Sequence, residues 1–143
     1  SLFVYSSSCT IHAERRTIPG ETLEQVTAEF QSVIDQLSSK HPSFRATLET
    51  EIWRSPYEVD PSCAIVSATK KAATDSLGKV PEIIGHTWWE DSAIFGEAGI
   101  ETVILGPAGG GIHEDVEWAE LDSVHLLGEI LYRTALDFCG VNG

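Results

Sequence analysis

A short apolar run that leads directly into a glycine-rich loop constrains this chain more than any other feature. Thr102–Leu105 has the length and the β-branched content of a buried strand. The loop Gly106–Gly111 follows at once, and its glycines permit backbone conformations and close approaches that other residues disfavour. His113 comes at the end of this loop. Three carboxylates come next: Glu114, Asp115 and Glu117. This order predicts a strand that carries an imidazole to a loop, where a ligand or a metal ion can reach it.

Amphipathic periodicity and capping signals predict four helices. The spacing of apolar residues and the terminal signals place them at 22–38, 61–77, 91–98 and 121–138. Thr22 and Gln25 have the spacing of a capping box at the start of the first helix. Asp60 is the expected N-cap of the second helix, and Gly78 its C-terminal cap. Gly99 and Gly140 are expected to end the third and fourth helices.

Strand-like segments alternate with these helices and predict an α/β fold. Residues 2–5 and 9–16 are expected to be extended, and 44–53, 81–87 and 102–105 to form strands. The second half alternates strands with helices, which is typical of a parallel sheet with covering helices. The first half fits a small two-layer α+β lobe. The predicted boundary lies near Val59–Pro61, which gives one lobe at 1–59 and a second at 60–143.

Composition excludes several classes of function. Asp and Glu number 22 against 9 Lys and Arg, so the net charge is −13. Such a charge repels nucleic acid and anionic membranes, and it favours solubility, cationic partners or divalent metals. No apolar run approaches the roughly 18 residues of a membrane span. Cys9, Cys63 and Cys139 are far apart and form no CxxC pair, which favours a reducing cytoplasm over a disulfide framework.

Residue types alone leave several sites open. His113 is either a ligand for zinc, cobalt or nickel or a loop residue that only forms hydrogen bonds. The triple glycine 109–111 lacks the lysine of a phosphate loop, so a flexible turn is the simpler interpretation. Arg15-Arg16 is suited either to a substrate carboxylate or to an internal salt bridge. The tract 86–91 is either a pocket wall or a plug between lobes. No nucleophile elbow is present.

The order of four landmarks resembles a known family. They are Glu14-Arg-Arg-Thr-Ile-Pro-Gly-Glu21, Thr87-Trp-Trp-Glu-Asp-Ser-Ala93, Ala98-Gly-Ile-Glu-Thr-Val103 and Leu105-Gly-Pro-Ala-Gly-Gly-Gly-Ile-His113. Glu117 follows the last of them at a spacing of four residues. In this order they resemble the C-terminal half of an M20-family metallopeptidase. The resemblance is strongest to the branch of acetylornithine deacetylases and succinyl-diaminopimelate desuccinylases.

The resemblance assigns roles to individual residues. It implies that His113 is a metal ligand and that Arg16 is the lid arginine that meets a substrate carboxylate. Asp91 takes the aspartate position of a Thr-Asp-Ala segment, in which Glu90 replaces the threonine. Gly109 and Gly110 are implied to border the substrate in a loop that passes close to the metals. No catalytic residue is assigned within this chain.

The resemblance also implies what the complete enzyme contains. Residues 1–59 would be part of a lid and dimerisation domain, and 60–143 the C-terminal part of a catalytic domain. The family uses two zinc or cobalt ions to hydrolyse amide bonds of N-acyl amino acids or peptides. Its other four metal ligands and its general base lie N-terminal to the matching region. The chain alone is therefore expected to be inactive, and to form a homodimer or self-associate through the lid or an exposed sheet edge.

Two other functions stay open at this point. One is a non-catalytic dimerisation or binding module built on the same scaffold. The other is a different α/β hydrolase that uses His113 as a base, although the chain offers it no credible nucleophile.

Overall fold

Helices make up most of the regular structure. The computed structural model describes residues 3–140, and the bounds below refer to that part of the chain. The helices are α1 (Leu23–Lys40), α2 (Ala64–Leu77), α3 (Ser92–Glu97) and α4 (Leu121–Cys139). Two short strands, β1 (Gly109–Gly110) and β2 (Trp118–Ala119), lie between α3 and α4.

The capping box predicted for α1 is confirmed. The Thr22 hydroxyl accepts from the Gln25 amide nitrogen at 3.3 Å, and the Gln25 side chain accepts from the Thr22 amide nitrogen at 2.9 Å. Two of the otherwise unpaired amides at the helix start are thereby satisfied. The helix continues to Lys40, two residues beyond the predicted end, and His41 follows in an extended conformation before Pro42.

The start of α2 differs from the prediction, whereas its end agrees. The N-cap is Cys63, because the Asp60 carboxylate accepts from the backbone nitrogen and the hydroxyl of Ser62, both at 2.7 Å. These hydrogen bonds form a turn before the helix and lower the pKa of Asp60. Gly78 ends the helix in the left-handed conformation, with φ of 68°, as predicted.

The small core lies where α2 packs on α4. Ala72 and Ala73 on α2 contact Ile130 on α4, and Leu126 packs against the same cluster. Small residues on one helix allow the two backbones to approach closely. An ion pair between Lys71 and Asp137, 2.9 Å apart, also joins the two helices. The chain reaches the hairpin of β1 and β2 (residues 109–119) through irregular chain after α3, and α4 begins directly after it.

The predicted strands and the predicted parallel sheet are wrong for the described residues. Segments 44–53, 81–87 and 102–105 run as irregular chain, and so do the described parts of 2–5 and 9–16; residue 2 lies outside the described range. β1 pairs antiparallel with β2, so that Gly109 faces Ala119 and Gly110 faces Trp118. An apolar β-branched run becomes a strand only where a neighbouring chain accepts its hydrogen bonds, and these segments have no such neighbour here. The architecture is a mixed helical fold with one small sheet, compatible with an α/β fragment.

Much apolar surface is left uncovered. The solvent-accessible area is 11683 Å², whereas a folded monomer of this mass is expected to expose about 7,200 Å². The segments predicted as strands contribute to this excess; Ile84 is 72% exposed and Ile104 49%. The division between 1–59 and 60–143 stays a prediction, and hydrogen bonds cross it: the Tyr57 hydroxyl lies 2.8 Å from the Thr102 nitrogen, and Arg16 donates to the Thr87 carbonyl oxygen at 3.2 Å.

Candidate functional site

His113 lies in the loop of the β1–β2 hairpin. The hairpin loop comprises residues 111–117 and is closed at its base by a hydrogen bond from the Glu120 nitrogen to the Ala108 oxygen, at 2.8 Å. Within the loop, the Glu114 nitrogen donates to the Gly111 oxygen at 2.9 Å. The resulting turn presents the imidazole of His113 on the surface. The position agrees with a loop-borne histidine, although an antiparallel hairpin carries it instead of a buried parallel strand.

The glycines of this hairpin meet a steric need. A β-carbon on Gly109 would collide with the carbonyl oxygen of Trp118, and one on Gly111 with the carbonyl oxygen of Val116. Gly111 also has a φ of 71°, a conformation that side chains with a β-carbon rarely adopt. Gly110 lies against the Trp118 indole, where a β-carbon would come within 3.2 Å of the ring. The glycines therefore let the two segments of the hairpin approach each other closely. The interpretation as a flexible turn did not predict this close approach.

The backbone of His113 is itself unusual. Its φ is 63°, and among the described residues no other non-glycine residue has a positive φ. This conformation costs about 1–2 kcal/mol for a residue with a β-carbon. The loop is held to α4, because the Ser123 hydroxyl accepts from the Ala108 nitrogen at 3.0 Å and donates to the Glu120 oxygen at 2.7 Å. A glycine would fit the backbone of position 113 better, so the imidazole is a candidate functional group.

The residues around His113 do not complete a metal site. Glu114, Asp115 and Glu117 share its loop, yet within residues 3–140 no group of three or more histidine, cysteine or carboxylate side chains could hold a metal ion. A zinc site in a protein needs about three or more protein ligands. The hairpin can therefore contribute one metal ligand, His113, but its side chains do not form a complete metal site.

The two adjacent arginines have different partners. Arg15 binds the Glu21 carboxylate through two hydrogen bonds of 2.7 and 2.6 Å, and Glu21 also accepts from the Ile18 nitrogen at 2.8 Å. The Arg15 guanidinium lowers the pKa of Glu21, and the same hydrogen bonds raise the pKa of Arg15. Of the two arginines, Arg15 therefore forms the internal salt bridge, with Glu21 as its partner. Arg16 pairs with Glu14 and donates to the Thr87 carbonyl oxygen at 3.2 Å.

The contact with Thr87 brings Arg16 to the aromatic tract 86–91. In this tract the rings of His86 and Trp88 lie 4.7 Å apart, and the Trp88 indole donates to the Glu90 carboxylate at 2.8 Å. The structure therefore joins two of the four landmarks. Asp91 is the last residue of the tract, and its backbone oxygen accepts from the nitrogens of Ile94 and Phe95 at 3.0 and 3.3 Å. Its side chain is exposed and does not cap the helix.

The hairpin stands apart from this contact. Within residues 3–140, no hydrogen bond or ion pair links His113 to Arg16 or to Asp91. The role of His113 as a metal ligand, and those of Arg16, Asp91, Gly109 and Gly110 in binding substrate, stay predictions.

Sequence reasoning missed the role of residues 53–57. The Tyr57 hydroxyl accepts from the Thr102 nitrogen and donates to the Thr102 oxygen at 3.0 Å, and its ring fills the space above Gly96. Trp53 and Arg54 line a cleft with Trp89 and α3. Trp53, Arg54 and Tyr57 are three large side chains close to the predicted boundary at Val59–Pro61, and they were the available signal, because solvated linkers are generally polar.

Comparison with known proteins places the chain in a family context. The sequence model of a family described as Peptidase family M20/M25/M40 matches residues 7–137. No curated protein and no solved structure matches the chain. Within the described residues, no helix is both long enough and apolar enough to cross a membrane.

Proposed function

Because the chain belongs to Peptidase family M20/M25/M40, we propose that it is part of a metal-dependent hydrolase that cleaves amide bonds of N-acyl amino acids or peptides. The match over residues 7–137 is the observation that carries this proposal. The family acts through divalent metals, and a surface histidine on a sterically specified loop is suited to binding one. The order of the four landmarks favours the acetylornithine deacetylase and succinyl-diaminopimelate desuccinylase branch.

His113 is the proposed metal ligand of this chain. Together with ligands from the rest of the enzyme it would hold one of a pair of zinc or cobalt ions, which would supply Lewis-acid chemistry and an activated water for amide hydrolysis. The described residues offer no further set of ligands, so the remaining ligands are proposed to come from another part of the enzyme. On this basis the chain alone binds no catalytic metal tightly and hydrolyses no substrate.

Arg16 is the proposed contact for a substrate carboxylate. Its side chain is 64% exposed and that of its partner Glu14 is 71% exposed. An ion pair between exposed side chains is weak in water, so a bound substrate carboxylate can displace Glu14 at little cost. A guanidinium can hold that carboxylate through two parallel hydrogen bonds. Asp91, Gly109 and Gly110 are proposed to border the substrate in the assembled enzyme.

The uncovered apolar surface supports a role as one part of a larger assembly. We assign the excess of exposed area to surfaces that the rest of the enzyme or a second copy covers, as a homodimer or another self-associated form. The net charge of −13 argues against nucleic acid and anionic membranes as partners. All three cysteines are free, which is compatible with a cytoplasmic location.

A comparison of the full-length protein with this chain tests the proposal. The full-length protein that carries the chain is assayed on N-acetylornithine, N-succinyl-diaminopimelate and a dipeptide, before and after chelation. We expect hydrolysis that chelation abolishes and zinc or cobalt restores, and no hydrolysis by residues 1–143 alone. Hydrolysis that survives complete chelation would contradict the proposal. A folded, metal-loaded full-length protein without turnover would favour the non-catalytic module instead.

A further inference from the structure

A cleft of about 240 Å³ opens between residues 53–55 and helix α3. Its lining combines apolar and charged side chains: Trp53, Trp89, Ala93, Ile94, Arg54 and Glu97. Ala93 is almost fully buried. The Trp53 indole donates to the Ser55 hydroxyl at 3.3 Å, which fixes the orientation of its ring. The apolar part of the cleft is therefore formed by two aromatic rings and the face of a helix.

Arg54 is a cation at this cleft without a carboxylate partner. Its guanidinium lies over the Trp89 ring, 5.5 Å from the centroid, and donates to the Trp53 carbonyl oxygen at 2.9 Å. Within residues 3–140, no carboxylate lies within 4.0 Å of it. By contrast, Arg15, Arg16 and Arg133 each pair with a glutamate. An unpaired arginine held in place by an indole, in a chain of net charge −13, is available for an external carboxylate.

Glu97 supplies the opposite charge at the same cleft. It is the last residue of α3 and is exposed. In the part of the chain that the structure describes, its carboxylate forms no hydrogen bond and no ion pair. Arg54 and Glu97 thus border one apolar cleft without pairing with each other. A ligand that carries both charges would satisfy both side chains at once.

We propose that this cleft binds a free α-amino acid with an apolar or aromatic side chain. The ligand carboxylate pairs with Arg54, its ammonium group pairs with Glu97, and its side chain packs between Trp53 and Trp89. The cleft is smaller than the roughly 300–1,000 Å³ of sites for drug-sized ligands, which suits a single amino acid. This inference does not rest on the metal or on hydrolysis, because no residue of the 109–119 hairpin lines the cleft.

Titration of the 143-residue chain with L-phenylalanine tests the proposal, with the indole N–H resonances of Trp53 and Trp89 as reporters and that of Trp118 as the internal control. We expect the first two to shift and saturate while Trp118 stays unchanged. N-acetyl-L-phenylalanine lacks the ammonium group and L-phenylalaninamide lacks the carboxylate. Each is expected to bind at least about tenfold more weakly than phenylalanine, since one charged pair is lost.

Variants identify the side chains involved. Arg54→Gln and Glu97→Gln are each expected to weaken phenylalanine binding at least about tenfold. Arg45→Gln is the matched control, because within the described residues the Arg45 side chain donates only to the carbonyl oxygens of Pro42 and Phe44. Circular dichroism verifies that the helix content is unchanged. The proposal is overturned if phenylalanine does not bind the unaltered chain, if the acetylated or amidated compound binds equally well, or if Arg45→Gln weakens binding as much as Arg54→Gln. Since the readout needs neither metal nor turnover, its failure leaves the proposed hydrolase untouched.

Discussion

At the scale of single residues, the hairpin that carries His113 depends on the absence of a β-carbon at Gly111. Gly111→Ala places a methyl group against the Val116 carbonyl oxygen at a φ of 71°. We expect the free energy of unfolding to fall by about 1–3 kcal/mol, the range for a strained backbone position. Urea denaturation followed by circular dichroism measures it. Gly106→Ala is the control, since a β-carbon there meets nothing within 4 Å; equal losses from both variants would refute the argument.

The pair of Arg15 and Glu21 predicts a pH dependence. The Arg15 hydrogen bonds lower the pKa of Glu21 from its ordinary value of 4.5. A carboxylate with a depressed folded-state pKa contributes stability above its ordinary pKa, and that contribution is lost as pH falls through the lowered value. We therefore expect the Arg15→Gln variant to lose less stability than the unaltered chain between pH 6 and acidic pH below 4.

Denaturation midpoints across that range measure the difference. Arg45→Gln again serves as the control, because Arg45 contacts no carboxylate in the described part of the chain. Parallel pH profiles for the unaltered chain and Arg15→Gln would mean that the bidentate pair does not form.

The adjacent arginines show where residue-level prediction stops. Sequence alone offered both a salt bridge and a substrate contact for Arg15-Arg16. In extended chain, neighbouring side chains point to opposite sides, so the two arginines cannot share one partner. Which of them pairs internally depends on how the Pro19-Gly20 turn brings Glu21 back toward the chain. This pairing depends on the tertiary structure, so the residue pattern of the sequence alone does not predict it.

At the scale of elements, the helices were predictable and the strands were not. The Thr22–Gln25 capping box and the left-handed Gly78 are local signals, whose hydrogen bonds close within a few residues. The apolar pattern of 81–87 and 102–105 shows that these segments are suited to a strand. It does not show whether a neighbouring strand is present to accept their hydrogen bonds. The β1–β2 pair was missed for the converse reason: two consecutive glycines have low strand propensity, and they pair here because they admit the Trp118 backbone.

Helix α4 offers a test in the stabilising direction. Gly128 lies in the interior of this 19-residue helix, is exposed, and has nothing within 4 Å of a β-carbon position. Gly128→Ala is expected to raise the free energy of unfolding by about 0.5–1 kcal/mol, because alanine loses less backbone entropy in a helix. Chemical denaturation measures the gain. Gly85→Ala lies in irregular chain with equally open space and serves as the comparison; an unchanged or lowered stability for Gly128→Ala would contradict a continuous α4.

At the scale of the whole molecule, the exposed area predicts association. The chain exposes 11683 Å², against about 7,200 Å² expected for its mass. Large apolar side chains are exposed along the chain, among them Phe95, Trp118 and Leu131, and exposed apolar surface favours protein–protein contact. We expect residues 1–143 to sediment as dimers or larger species, in proportions that rise with concentration.

Substitutions that add a positive charge distinguish association through the uncovered apolar surface from non-specific association. Ile104→Lys puts a lysine on a 49% exposed apolar site and is expected to weaken association. Ser38→Lys adds the same charge to an exposed polar position on α1 and is expected to leave it unchanged. A monodisperse monomer at all concentrations would be incompatible with the predicted self-association.

We propose that the 109–119 hairpin gives one metal ligand, His113, to a hydrolase of Peptidase family M20/M25/M40. The most direct test is the zinc content of the full-length protein, measured by mass spectrometry after equilibration with zinc. We expect two zinc ions per chain for the unaltered protein and for the control variant His125→Ala, since His125 is an exposed histidine of α4. We expect at least one ion fewer for His113→Ala, with a loss of hydrolysis larger than the roughly 10- to 100-fold cost of removing an outer-shell partner. Unchanged zinc content and unchanged hydrolysis in His113→Ala would contradict the proposal.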